Sequence, residues 1–170
     1  NGTLVINSGS NSIGGGLSVE AGTVTFNGNN NVISSITMDG DQGTLRDLNI
    51  NGSATVSGNM TLRGNTGQAG SDVNITGAIT TGGIVNIRQV MFELSGGGSL
   101  SNPSAINLAG APDATNATNV GTEFRITNTS ASNNTNRVGN STVFNSMGGD
   151  FTFSNDGSNT AFAESMGALN

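Results

Sequence analysis

The sequence predicts an all-β fold: a single-stranded parallel β-helix (β-solenoid), right-handed, with roughly 18–25 residues per coil. Three observations predict it. First, an apolar-polar-apolar unit recurs as Val24-Thr25-Phe26, Ile36-Thr37-Met38, Leu48-Asn49-Ile50, Met60-Thr61-Leu62, Val73-Asn74-Ile75 and Val85-Asn86-Ile87. The units start at 24, 36, 48, 60, 73 and 85, at intervals of 12, 12, 12, 13 and 12. Second, turn formers lie between them, including Asn27-Gly28, Asp39-Gly40, Asn51-Gly52 and Gly82-Gly83. Third, nothing favours a helix. The 170 residues include 27 Gly, 26 Asn, 20 Ser and 20 Thr, more than half of the chain, and all four are poor helix formers.

Each unit is read as a short strand, because alternation at period 2 sends side chains to opposite faces. Val24, Phe26, Ile36, Met38, Leu48, Ile50, Met60, Leu62, Val73, Ile75, Val85 and Ile87 are expected to form the core. Thr25, Thr37, Asn49, Thr61, Asn74 and Asn86 are expected to form an outward polar ladder. A weaker unit, Ala54-Thr55-Val56, sits midway between Leu48 and Met60. Two registers are open, one of about 12 residues per coil and one of about 24 in which alternate units share a face. The longer is favoured, since a 12-residue coil encloses little apolar volume and no disulfide compensates. It stacks Leu48 on Val24 and Val73 on Leu48, with Asp47 beside Asp72; it also places Asp39 beside Arg63 and Arg63 beside Arg88.

Further strands are read at Leu4-Val5-Ile6, Leu17-Ser18-Val19, Phe92-Glu93-Leu94, Ile106-Asn107-Leu108, Phe124-Arg125-Ile126, Val143-Phe144, Phe151-Thr152-Phe153 and Met166 to Leu169. The chain is read as one solenoid segment, 1–170, with an irregular polar insert around 110–121 and 127–136, and a broader core after position 140 where Phe accumulates. At about 20 residues per coil it would supply roughly 8 coils and about 40 Å of rod.

Composition narrows the function. Cys and His are absent, which removes disulfides, thiolate chemistry, the usual general base and most zinc sites. Five Arg, no Lys and a net charge of −6 argue against a nucleic-acid groove. No apolar run is long enough for a membrane span. The chain opens at Asn1 rather than Met and shows no signal peptide, so it is expected to be a piece of a longer or processed protein.

The last third has the run Asn136-Arg137-Val138-Gly139-Asn140-Ser141-Thr142-Val143, then Met147-Gly148-Gly149-Asp150-Phe151-Thr152-Phe153-Ser154, then Glu164-Ser165-Met166-Gly167-Ala168-Leu169. This resembles the autotransporter-associated β-strand repeats of large bacterial surface proteins, with their Asn-Arg start, Gly-Gly-x-apolar-x-apolar strand and Thr/Ser-apolar-Gly-apolar-Leu close. The resemblance covers about 35 residues. It implies a parallel β-helix exported to the cell surface and no catalytic residues.

Four chemistries compete with plainer readings of the same residues. Asp39, Asp41 and Asp47 with Arg46 form the densest polar cluster, and paired carboxylates can serve a glycosidase or lyase. An Asp-Gly-Asp turn and a solvated strand residue explain the same letters, and no enzyme is expected. Asp39-Gly40-Asp41 and Gly148-Gly149-Asp150 offer oxygen ligands for a structural calcium ion, the one cofactor considered, but the calcium nonapeptide is absent. Ice binding would need regular Thr columns, whereas the flanking positions Asn27, Asp39, Asn51, Arg63, Thr76 and Arg88 are mixed and charged. Glycosylation sequons start at Asn1, Asn51, Asn59, Asn74, Asn116, Asn128, Asn133 and Asn140, with Asn116 and Asn128 the candidates for a modified loop.

Neither end of the sequence reads as a solenoid cap, since both Asn1-Gly2-Thr3-Leu4-Val5-Ile6 and Met166-Gly167-Ala168-Leu169-Asn170 look like strands. The expected role is therefore structural: a building block of an extracellular bacterial filament or long cell-surface adhesin. Its expected partner is itself, head to tail or as a continuation of the same chain, with surface glycans a secondary partner. The alternative is a glycan-binding or polysaccharide-processing β-helix module.

Overall fold

The computed structural model describes residues 2–39, 44–64, 71–110, 121–129, 134–155 and 164–170. It is an all-β parallel solenoid of about five turns, with no helix among the described residues. Each of the first five coils contributes three strands. These are β1 (Thr3–Ile6), β2 (Ser12–Ile13) and β3 (Leu17–Val19); then β4 (Gly22–Phe26), β5 (Asn31–Ile33) and β6 (Ile36–Met38). Next come β7 (Arg46–Ile50), β8 (Ala54–Val56) and β9 (Met60–Arg63), followed by β10 (Asp72–Ile75), β11 (Ala78–Thr81) and β12 (Ile84–Arg88). The fifth coil holds β13 (Met91–Leu94), β14 (Ser99–Ser101) and β15 (Ala105–Ala109). Beyond it lie β16 (Glu123–Asn128), β17 (Val143–Met147) and β18 (Asp150–Asn155).

Stacked coils make three parallel sheets. Sheet A runs β1-β4-β7-β10-β13-β16-β18, sheet B runs β2-β5-β8-β11-β14, and sheet C runs β3-β6-β9-β12-β15-β17. Registry follows the 24-residue scheme rather than the 12-residue one: Val24 pairs with Leu48, Leu48 with Val73, and Ile36 with Met60. Sequence alternation anticipated two faces; the third, sheet B, is built from the weakest apolar units. Its strands are short and Ser-, Thr- and Ala-rich, and they close the triangle only because Ile33, Val56, Ile79 and Leu100 meet the other two sheets inside.

Inward positions form continuous columns. One runs Leu4, Val24, Leu48, Val73, Phe92, Phe124, Phe151. Another runs Ile6, Phe26, Ile50, Ile75, Leu94, Ile126, Phe153. All twelve residues assigned to the core from sequence are buried. Toward the last coils aliphatic residues give way to rings: Phe92, Phe124 and Phe151 stack with centroids 5.3 Å apart, and Phe144 packs edge-on against Phe124 at 5.5 Å. Such pairs add to the value of area burial.

Coil length is not constant. Equivalent residues are 20, 24, 25 and 21 apart in successive early coils, but Asn107 and Asn145 are 38 apart. The 18–25 expectation therefore fails for the last coils, and with it the estimate of eight coils. Sheet A has seven strands, and six steps of about 4.8 Å give roughly 29 Å. The physical reason is that extra residues leave at corners without disturbing register. The link from sheet C to sheet A spans only 20–21 and 89–90 in some coils, yet 110–122 in another. The second polar stretch was also placed two residues early, since Thr127 and Asn128 belong to β16. Met166 to Leu169 is not a full strand; it contributes a single parallel bridge from Leu169 to Phe144.

At the corner between sheets A and B the rungs come too close for any side chain. A Cβ on Gly52 would overlap the carbonyl oxygen of Gly28, one on Gly28 that of Ser8, and one on Gly77 that of Gly52. The obstruction is backbone, which cannot rotate away.

Two outcomes test this architecture. Ile50→Asp, which buries a charge in a closed column, should cost at least about 4 kcal/mol in chemical denaturation, whereas Asn49→Ser should cost under about 1 kcal/mol. Gly52→Ala should cost about 2 kcal/mol or more through overpacking, despite adding one methyl group. Equal denaturation midpoints for Ile50→Asp and Asn49→Ser would contradict the inward and outward assignment.

Candidate functional site

Every rung of a parallel coil has two neighbours except the first and the last, so unsatisfied surface concentrates at the ends. Among the described residues β1 pairs only with β4, and β18 only with β16. The core columns run out at the same places. Leu4 is 51% exposed and Phe153 44% exposed, although both stand in columns that are closed at Val73 and Ile75. Leu169, in register with the inward Phe144, is 72% exposed. Leu4 and Leu169 face the inside of the coil, and no rung among the described residues covers them.

The polar ladder predicted from sequence is divided between two sheets. Thr25, Asn49 and Asn74 stand on sheet A, where Asn74 donates to Asn49 at 3.2 Å and Asn49 to Thr25 at 3.3 Å. Thr37, Thr61 and Asn86 stand on sheet C, in register with one another. From Asn86 onward a second amide ladder follows: Asn107 donates to Asn86, Asn145 to Asn107 and Asn170 to Asn145, at 2.8, 2.8 and 3.0 Å. A third lines the corner after sheet A, where Asn27 donates to Asn7, Asn51 to Asn27 and the Thr76 hydroxyl to Asn51. The later members of these ladders escaped sequence reading because irregular coil length hides their common register. Chains of amide bonds polarise one another and reinforce the backbone ladder.

The carboxylate cluster does not assemble. Asp39 pairs with Arg63 at 3.4 Å in the corner after sheet C. Asp47 stands on the outer face of sheet A, accepting from the Thr23 hydroxyl at 3.1 Å and the Asp72 amide at 3.3 Å. Arg46 turns inside the coil, where its Nε donates to the Glu20 carbonyl at 2.8 Å. Asp41 lies outside the described residues. Of the second calcium candidate, Asp150 is exposed and its amide donates to the Thr122 carbonyl at 2.8 Å. Among the described residues no three of His, Cys, Asp and Glu converge on a metal position.

One glycosylation candidate is overturned. Asn128 is fully buried in β16 and its Oδ1 accepts from Arg137 Nε at 3.0 Å, so it presents no amide to a modifying enzyme. Asn74 and Asn51 are engaged in ladders, and Asn116 lies outside the described residues.

The segments that carry the family resemblance meet at one end of the coil. Arg137 is 1% exposed; its Nη1 donates to the Gly98 carbonyl at 2.9 Å and its Nη2 to the Gly96 carbonyl at 2.7 Å. Glu164 accepts from the Arg137 amide at 2.7 Å. Burial lowers the Arg137 pKa and Glu164 opposes the shift. Arg137 thus clamps a corner carbonyl pair to β16, a role the sequence could not assign because its acceptors are backbone atoms.

Stacking also forces like charges together. Asp72 lies directly over Asp47. Its pKa is raised, first by burial and then by Asp47 and Glu93, with Arg125 opposing. A carboxyl whose folded pKa exceeds its unfolded value takes up protons on folding in that window. Stability should therefore fall as pH rises through the folded pKa and stay reduced at neutral pH. Asp72→Asn should raise Tm at pH 7 and leave it unchanged near about pH 3, where both states are protonated. Arg137→Lys should lower stability by about 2 kcal/mol or more, since one ammonium cannot serve three separated acceptors.

Compared with protein-family models, with curated proteins and with solved structures, the chain has no match.

Proposed function

We propose that this chain is a structural segment of a longer β-solenoid rod, a building block of an extracellular bacterial filament or long cell-surface adhesin. The observation that carries the reading is that, among the described residues, inward side chains stand uncovered at both ends of the coil, at Leu4 and at Leu169. A further rung, from a second copy or from the same polypeptide, would cover these side chains and give β1 its second neighbour. The amide ladder runs in the same direction, since Asn107, Asn145 and Asn170 each donate to the preceding rung. The resemblance of 136–169 to autotransporter-associated repeats supports placement at a bacterial surface. The mechanism is mechanical: a continuous parallel ladder with a packed interior resists stretching, and small polar outward residues keep the shaft hydrated at low charge density.

The test is assembly of the purified chain across a concentration series, by sedimentation and negative-stain imaging. Unbranched rods one coil wide are expected, and Leu4→Glu or Leu169→Glu should shorten or abolish them while Asn49→Ser leaves them intact. Particles that stay monomeric at every concentration, unchanged by either end substitution, would refute the proposal. So would turnover of an acidic polysaccharide by the isolated chain.

A further inference from the structure

Sheet C carries a column of corner residues that reads Arg63, Arg88, Ala109, Met147 on successive rungs. Arg63 and Arg88 are in direct register, so two guanidinium stems rise from backbones about 4.8 Å apart. Arg63 is offset by Asp39 at 3.4 Å. Arg88 has no ion pair or side-chain hydrogen bond among the described residues, and its Nε is buried without a partner. A buried, unpaired guanidinium donor is costly, and its placement beside another cation raises the cost.

The Nε itself is covered by the protein, but the terminal Nη donors of Arg88 are not buried, and the next rung leaves open space beside that side chain for a counter-group. Ala109 is short, and it leaves a notch of about 260 Å³ between the Arg88 side chain and Met147, which is 73% exposed. The floor of the notch carries Asn86 and Asn107. Asn86 spends its Oδ1 as acceptor from Asn107, and its amide NH2 has no acceptor among the described residues. The notch therefore combines a guanidinium fork, a free amide donor and an apolar thioether wall. Its volume is at the small end of ligand sites, suited to one sugar unit or a small acid rather than a drug-sized molecule.

We infer that this notch binds a carboxylate-bearing sugar unit, such as the uronate of an acidic glycan, with the carboxylate on Arg88 and Arg63, a hydroxyl on Asn86 and the ring face against Met147. The planar fork of Arg matches a carboxylate through paired N–H donors, and the thioether offers a polarisable surface to the C–H face of a sugar. Among the described residues no other rung repeats this set, so one ligand per chain is the expected stoichiometry. The inference rests on the sheet C geometry and is independent of end-to-end assembly.

The test titrates the full chain with sodium glucuronate, glucose and sodium sulfate, followed by calorimetry and by the Asn86 and Arg side-chain NMR signals. Saturable glucuronate binding that weakens with salt is expected, with glucose inert. Arg88→Gln should weaken it roughly tenfold or more, and Ala109→Leu, which fills the notch and keeps both charges, should abolish it. Arg125→Gln, on sheet A, should leave it unchanged. Circular dichroism checks that each variant keeps the coil, and Ala109→Leu decides the matter where Arg88→Gln does not fold. Absence of saturable binding, or wild-type affinity in Ala109→Leu, would overturn the inference. Sulfate binding as tightly as glucuronate would replace the sugar site by a general anion site.

Discussion

The whole molecule depends on one constraint: parallel strands of successive coils pair in register at a single backbone spacing. Once Val24 lies on Leu48, every other residue of those coils has an assigned neighbour above and below. Each residue type is then judged against its own column. Apolar columns close the interior, amide columns bond along the shaft, and a column of glycines marks the corner where Gly28, Gly52 and Gly77 approach within backbone contact. The fold tolerates a low apolar content because what it needs is apolar residues at repeated positions.

The same constraint creates the conflicts. Registry places Asp72 on Asp47 and Arg88 on Arg63 whether or not the charges agree. On sheet A the conflict is partly relieved by the Thr23 hydroxyl and the Asp72 amide, both of which donate to Asp47. On sheet C Asp39 relieves Arg63 alone, and the small Ala109 leaves room beside Arg88. A repeat architecture thereby makes a singular site: the periodic scaffold is interrupted where one column changes from charged to small. The ends are singular for a different reason. Among the described residues the inward columns lose their cover there, at Leu4 and Leu169.

Much of this was legible in the sequence. The alternation of Val24-Thr25-Phe26 and its successors specified strands and inward faces, because period 2 leaves few alternatives, and core volume favoured the longer of two open registers. Sheet B was largely hidden. Ser12-Ile13 and Ser99-Leu100-Ser101 carry too little apolar signal to be read as strands, and they are strands because the two stronger sheets present their edges and interior to them. Asn128 read as a loop residue by composition, yet Arg137, brought to it from across a corner, makes it a buried acceptor.

By itself, then, the sequence determined the class of fold and the identity of the core, since these follow from local alternation repeated along the chain, while it left two registers open and the stacked pairings chose the longer. Only the tertiary structure decided the third face, the enclosure of Arg137, the separation of the acidic residues and the notch beside Arg88. Those features depend on which residues stand on adjacent rungs, and corners of unequal length make that adjacency invisible to a count along the chain.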